Sequence, residues 1–287
     1  AVFIFERRGA GYVQVGRLTS PDAGEGQAFG VSVALDGSTL LVGAPGRDSL
    51  TGAVYAFQRN AQGGWSAGSR IAAGAEVWDR FGTSLSLSGD LALVGVPGPP
   101  AAPNLRAAPR SGRAVVLRRG ASGWTEVGRL EPPAADSVRG FGSAVHLGGG
   151  MAHVGAPQAA RNAGSVYEFR AEGAGWVENG RIVPATPEPN ARFGTSMAVA
   201  SGGLAIGAPG GGPTPGAVFL FARTGGSWSQ QQKLTAADLA PNARFGATLA
   251  AGERVLVAGA PTADGGAGRG VVFGRQGAGP WTEGANL

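Results

Sequence analysis

Cysteine is absent from this sequence, so a disulfide framework, a thiolate metal site and a thiol nucleophile are all excluded. No stretch approaches the roughly 18 consecutive apolar residues that a membrane-spanning helix needs, and no membrane insertion is expected within the segment. Lysine is nearly missing: Lys233 stands alone, and the formal charge of +5 comes almost wholly from arginine. Those arginines form no basic run and no basic helix interleaved with aromatics, so nucleic acid is not an expected partner. There is also no Ser-His-Asp order, no phosphate-cradling loop ahead of a helix and no cluster of carboxylates. Neither enzymatic activity nor a cofactor is expected.

Glycine and proline are abundant, 53 and 19 residues, as many tight turns between short strands require. The most informative pattern is Phe-Gly followed, fourteen residues after the Phe, by Gly-Ala-Pro. It recurs at Phe29/Gly43, Phe81/Gly95, Phe141/Gly155, Phe193/Gly207 and Phe245/Gly259, with Val96 replacing the Ala in the second copy. The steps between the phenylalanines are 52, 60, 52 and 52 residues, and eight extra residues between Pro97 and Gly112 account for the long one. An internal period overrides a domain count based on length. Residues 1–287 are read as one domain: a half repeat over 1–28, then repeats over 29–80, 81–140, 141–192, 193–244 and 245–287.

Within the fourth copy, alternation from Phe193 to Ala200, a turn at 201–203 and a return to Gly207 predict a hairpin. A β-rich run (Ala217, Val218, Phe219, Leu220, Phe221) and a turn into Trp228 supply two more strands, giving four antiparallel strands per repeat. The third strands all follow a Gly, and the fourth open on Trp65, Trp124, Trp176, Trp228 and Trp281, with Tyr12 in the half repeat. Aromatics at a fixed repeat position are expected to pack between neighbouring sheets. The fold class that follows is all-β, a β-propeller of four-stranded antiparallel blades with a half blade at the N-terminal end. A solenoid of the same period is the alternative. The Gly of Gly-Ala-Pro is read as permitting a sharp departure at a strand end.

Phe-Gly, Gly-Ala-Pro, the Gly-x-Val-aromatic strand and the Trp-to-basic-aliphatic ending lie in register over essentially the whole chain, which therefore resembles FG-GAP repeat proteins, including the integrin α-subunit propeller and bacterial surface or secreted proteins. The resemblance implies a propeller, commonly seven-bladed, that is secreted or on the cell surface and acts in adhesion or macromolecular recognition. Five full copies and a half repeat close no ring by simple strand exchange, and the chain opens in mid-repeat without Met, so part of a larger propeller is expected. Many such repeats carry several carboxylates in the first hairpin, where Ca²⁺ could bind. Here no such turn offers more than one, as at Asp36 or Asp90, so no metal site is expected.

Antiparallel order puts the loops between strands 2 and 3, and between strand 4 and the next strand 1, on one face. That face carries the variation and is the expected binding surface for a protein or polysaccharide. Its longest loop, residues 98–111, holds Arg106 and Arg110. Beside it Trp78 stands where other copies have Gly26, Val138, Asn190 and Asn242, which makes Trp78, Arg106 and Arg110 the candidate ligand-binding residues. His146 and His153 should face one another across a hairpin as a polar pair. Arg17, Arg70, Arg129, Arg181 and Lys233 are expected on a solvated outer face, and Asp22, Asp48, Asp79, Asp136, Asp238 and Asp264 as solvating loop residues. The functional expectation is an extracellular recognition or adhesion scaffold; the alternative is a noncatalytic module attached to a secreted enzyme such as a hydrolase.

Overall fold

The computed structural model describes residues 1–287 apart from 23, 25, 72, 100–110, 134–137, 201, 211–212 and 287. A two-stranded half blade, β1 (Val2–Arg8) and β2 (Gly11–Leu18), precedes five four-stranded antiparallel blades set in a propeller ring. Blade 1 comprises β3 (Ser32–Asp36), β4 (Thr39–Ala44), β5 (Ala53–Gln58) and β6 (Ser69–Ile71). Blade 2 comprises β7 (Ser84–Ser88), β8 (Leu91–Val96), β9 (Arg113–Gly120) and β10 (Gly123–Leu130). In blade 3 the strands are β11 (Ala144–Gly148), β12 (Met151–Ala156), β13 (Ser165–Glu172) and β14 (Gly175–Ile182). Blade 4 holds β15 (Ser196–Ala200), β16 (Gly203–Ala208), β17 (Ala217–Thr224) and β18 (Ser227–Leu234); blade 5 holds β19 (Thr248–Ala251), β20 (Val255–Ala260), β21 (Arg269–Gly274) and β22 (Thr282–Asn286). Strands pair in chain order within every blade, as the four-strand reading of the repeat requires.

The repeated motif joins one blade to the next. A Cβ on Gly43 would lie 2.1 Å from the Gly82 carbonyl oxygen, and the same contact recurs between Gly95 and Gly142, Gly155 and Gly194, and Gly207 and Gly246. Hydroxyls of Ser32, Ser84 and Ser196 donate to those carbonyls of Gly82, Gly142 and Gly246 at 2.7, 2.9 and 2.7 Å. The Gly of Gly-Ala-Pro is thus required by close approach to the next repeat's Phe-Gly; the motif does end its strand, as at Ala44, but the Gly has φ outside the left-handed region and makes no sharp departure there. The phenylalanine completes the joint. Phe81, Phe141, Phe193 and Phe245 have no exposed surface, each burying about 1.5–3 kcal/mol of transfer free energy. Where the third strand carries aromatics the phenylalanine meets them, as Phe193 meets Phe219 and Phe221 edge-on at 5.6 and 5.8 Å.

Burial follows from stacking. Every residue of β4 and β16 is buried because a neighbouring sheet covers each face, whereas β20 of the last blade alternates and leaves Val255 exposed. At the other end, Val31, Val33 and Leu35 beside β1 are exposed, together with Phe3, Phe5 and Tyr12 of the half blade. Their counterparts in interior blades, such as Val145 and Leu147 or Tyr167 and Phe169, are buried against the preceding blade. Trp124, Trp176 and Trp228 pack against the core clusters of the joints, as expected of aromatics at a repeat position. Trp65 packs against its core cluster in the same way, but its backbone makes an isolated bridge to Arg59 and the strand proper starts at Ser69.

Candidate functional site

The face formed by the 2–3 and 4–1 loops is held by ion pairs. The Asp79 carboxylate, buried at 1 % exposure, accepts from Arg113 at 2.7 Å and from the Glu76 backbone N–H at 2.7 Å. Asp22 accepts from Tyr55 Oη at 2.6 Å and Ser20 Oγ at 2.7 Å and faces Arg47 at 3.2 Å. Burial works against its charge, but the Tyr55 and Ser20 hydrogen bonds prevail and hold its carboxyl below the ordinary range. Arg269 joins Asp238 and Asp264, and Arg70 joins Asp48. The aspartates expected to be solvating loop residues are therefore loop clamps; Asp136 lies outside the described residues. Arg17, Arg70, Arg129, Arg181 and Lys233 are all exposed, as expected, and Arg181 and Lys233 also cap third-strand aromatics, at 5.2 Å from the Tyr167 ring centroid and 5.4 Å from that of Phe219.

Every described non-glycine residue with φ in the left-handed region lies in these loops, from Ala28 to Asp264. The position before Phe-Gly adopts it at Ala28, Arg80, Arg192 and Arg244. Two residues earlier it falls on Gly26, Asn190 and Asn242, which tolerate it, and on Trp78 with φ 73°, which does not. Trp78 is half-buried beside exposed Val77. Arg106 and Arg110 lie outside the described residues.

A second constellation fills the joint between blades 3 and 4. His146 and His153 are partners across β11 and β12, with ring centroids 5.9 Å apart and planes 23° apart, as the hairpin predicts. Behind them stands Glu168 on β13, 2 % exposed, which sequence reasoning missed. Its carboxylate meets His153 Nε2 at 3.0 Å and accepts from Trp228 Nε1 at 2.6 Å, Asn179 Nδ2 at 2.5 Å and the Arg223 guanidinium at 3.2 and 3.3 Å. Burial alone would raise its pKa, but the hydrogen bonds from His153, Trp228 and Asn179 outweigh that and hold it down at about 2. Burial, with a smaller push from His153, lowers His146 to about 4. A signal was available: Ala56, Val116, Leu220 and Val272 occupy the Glu168 position in the other blades, so a carboxylate there is a single departure from an apolar column.

The FG-GAP repeat model matches residues 12–57 and 228–273. Those stretches bracket repeats that carry the same Phe-Gly and Gly-Ala-Pro contacts from blade to blade. The chain is a β-propeller that carries FG-GAP repeats. Among solved structures, a crystal structure of a protein from Lactobacillus plantarum resembles the propeller with a TM-score of 0.59 and 13% identity, over 96% of this chain and 74% of that one. At that identity the likeness is one of fold. No curated protein matches the chain. The repeats and the propeller fold suggest a binding scaffold, and no helix in the described residues is long and apolar enough to cross a membrane.

Proposed function

We propose that this FG-GAP propeller is a secreted or cell-surface recognition scaffold that binds a protein or polysaccharide through its 2–3 and 4–1 loop face, without catalysing a reaction. Trp78 carries the reading. A left-handed conformation costs a non-glycine residue on the order of 1–3 kcal/mol, and such strain concentrates where a surface is shaped for a ligand. The other described left-handed residues at this position are Gly or Asn; here a tryptophan is held up beside the buried Asp79–Arg113 clamp. A half-exposed indole on a braced turn has the character of an interface anchor. Arg106 and Arg110, in the adjoining long loop, are assigned to the same patch for their charge.

The test screens the protein on glycan and extracellular-protein arrays, then repeats the hits with Trp78→Asn, which keeps the turn conformation. Binding should fall by about tenfold or more, within the range of an anchor residue. Full binding by Trp78→Asn would remove the residue from the site.

A further inference from the structure

Two residues beyond the third-strand aromatic or leucine, four blades carry an arginine: Arg59, Arg119, Arg223 and Arg275, while blade 3 has Ala171. Each of the first three reaches back across the joint to a polar acceptor on the preceding sheet. Arg59 meets Glu6, Arg119 meets Thr39 and Gln58 Oε1, and Arg223 meets Glu168. The acceptors occupy three places: one residue before the aromatic (Glu168), one after it (Glu6, Gln58), or the start of the second strand (Thr39, whose blade 4 counterpart is Gly203). In blade 4 those places hold Leu220, Ala222 and Gly203, none with a polar side chain.

Arg275 therefore reaches into the joint between blades 4 and 5 with no acceptor built for it. Its guanidinium lies 5.3 Å from the Trp281 ring centroid, its Nε is buried without a hydrogen-bond partner, and among the described residues no carboxylate pairs with it. Around it is a cavity of about 500 Å³, opening on the hairpin face opposite the loops, whose walls include Leu220, Phe221, Ala222, Gln232 and Pro280. One wall is fixed in advance. The Gln232 amide donates to the Trp281 carbonyl at 2.8 Å and accepts from the Trp281 N–H at 3.0 Å, tying blade 4 to blade 5.

We propose that this cavity binds a small organic carboxylate with an apolar body, whose anionic end pairs with Arg275 as Glu168 pairs with Arg223. The size suits a small ligand. A partly buried arginine favours a planar carboxylate that can accept from two N–H groups, and the Leu220, Phe221 and Pro280 walls favour a hydrocarbon or aromatic remainder. The site is separate from the Trp78 patch, so either can fail alone.

Benzoate is the probe, titrated into the full chain by ligand-observed NMR, with benzamide as its uncharged isostere. Saturable binding of benzoate at millimolar concentrations, at least tenfold weaker for benzamide and for Arg275→Gln, is the expected result. A second variant, Leu220→Glu, supplies the carboxylate from blade 4 itself and should block benzoate while the protein stays folded by circular dichroism. Benzoate that fails to bind at tens of millimolar, binds no better than benzamide, or binds Arg275→Gln or folded Leu220→Glu undiminished overturns the proposal.

Discussion

The joints between blades 3 and 4 and between blades 4 and 5 are built from the same repeat, yet in one the arginine meets a buried carboxylate beside a cavity of about 280 Å³, and in the other it faces a larger cavity of about 500 Å³ without one. Both contribute an arginine, Arg223 or Arg275, set over a tryptophan, Trp228 or Trp281, at 5.7 and 5.3 Å. Only the first meets an acid. The difference is one residue on the preceding blade, Glu168 against Leu220, and it shows how a repeat scaffold acquires individuality. The backbone contacts of Phe-Gly and Gly-Ala-Pro are kept in every interior joint, and the chemistry is varied one column further out.

The largest expected effect comes from taking the acid out of the joint between blades 3 and 4. Glu168→Leu leaves Arg223, Asn179, His153 and the Trp228 N–H without their acceptor in a buried site, and it should cost roughly 3–5 kcal/mol in urea unfolding at pH 7. Arg275→Leu in the joint between blades 4 and 5 should cost less than about 1 kcal/mol, since no carboxylate is orphaned. If the two losses are equal, the joints do not differ energetically as their contacts imply.

Next in size is the pH response of the joint between blades 3 and 4. The His146 pKa is lowered from 6.5 to about 4 in the folded protein, so the unfolded chain binds the extra proton between those values and stability falls as pH drops through that window. At about 1.4 kcal/mol per unit the loss is at most about 3.5 kcal/mol. Glu168, held at about 2 against an ordinary 4.5, adds a further loss only as pH falls from 4.5 toward 2. His146→Ala, which installs the residue blades 4 and 5 carry at Ala198 and Ala250, should flatten the melting temperature between pH 7 and 5. An unchanged slope would show that another group titrates.

The blade count, strand order and the inter-blade role of the tryptophans were legible because register and hydrophobic periodicity are local properties of the string. The need for Gly43 was visible but its cause was not, since the Gly82 carbonyl that excludes a side chain comes from the next repeat. The same limit hid the site chemistry. Asp79 and Arg113 are far apart in sequence, as are Glu168 and Arg223, and each reads alone as a loop or surface charge until the joint brings them together. His146 and His153 were paired correctly because a two-stranded hairpin fixes cross-strand partners directly.

The smallest effect is the sharpest on the comparison. Placing the acid in the joint between blades 4 and 5 as Leu220→Glu buries a charge at a site only 6% exposed, which ordinarily costs several kcal/mol. Here Arg275 stands ready across the joint, and Gln231 and Trp281 occupy the positions of Asn179 and Trp228. Coulombic and hydrogen-bond gains should then offset desolvation to within about 1 kcal/mol. The control is Val116→Glu, the same column in blade 2, where the next blade carries Ala171 and offers no arginine. That variant should lose several kcal/mol or fail to fold. Urea midpoints for the two proteins decide the matter: equal destabilisation would mean that Arg275 cannot reach an acid at position 220, and that the two joints differ in geometry as well as in side chain.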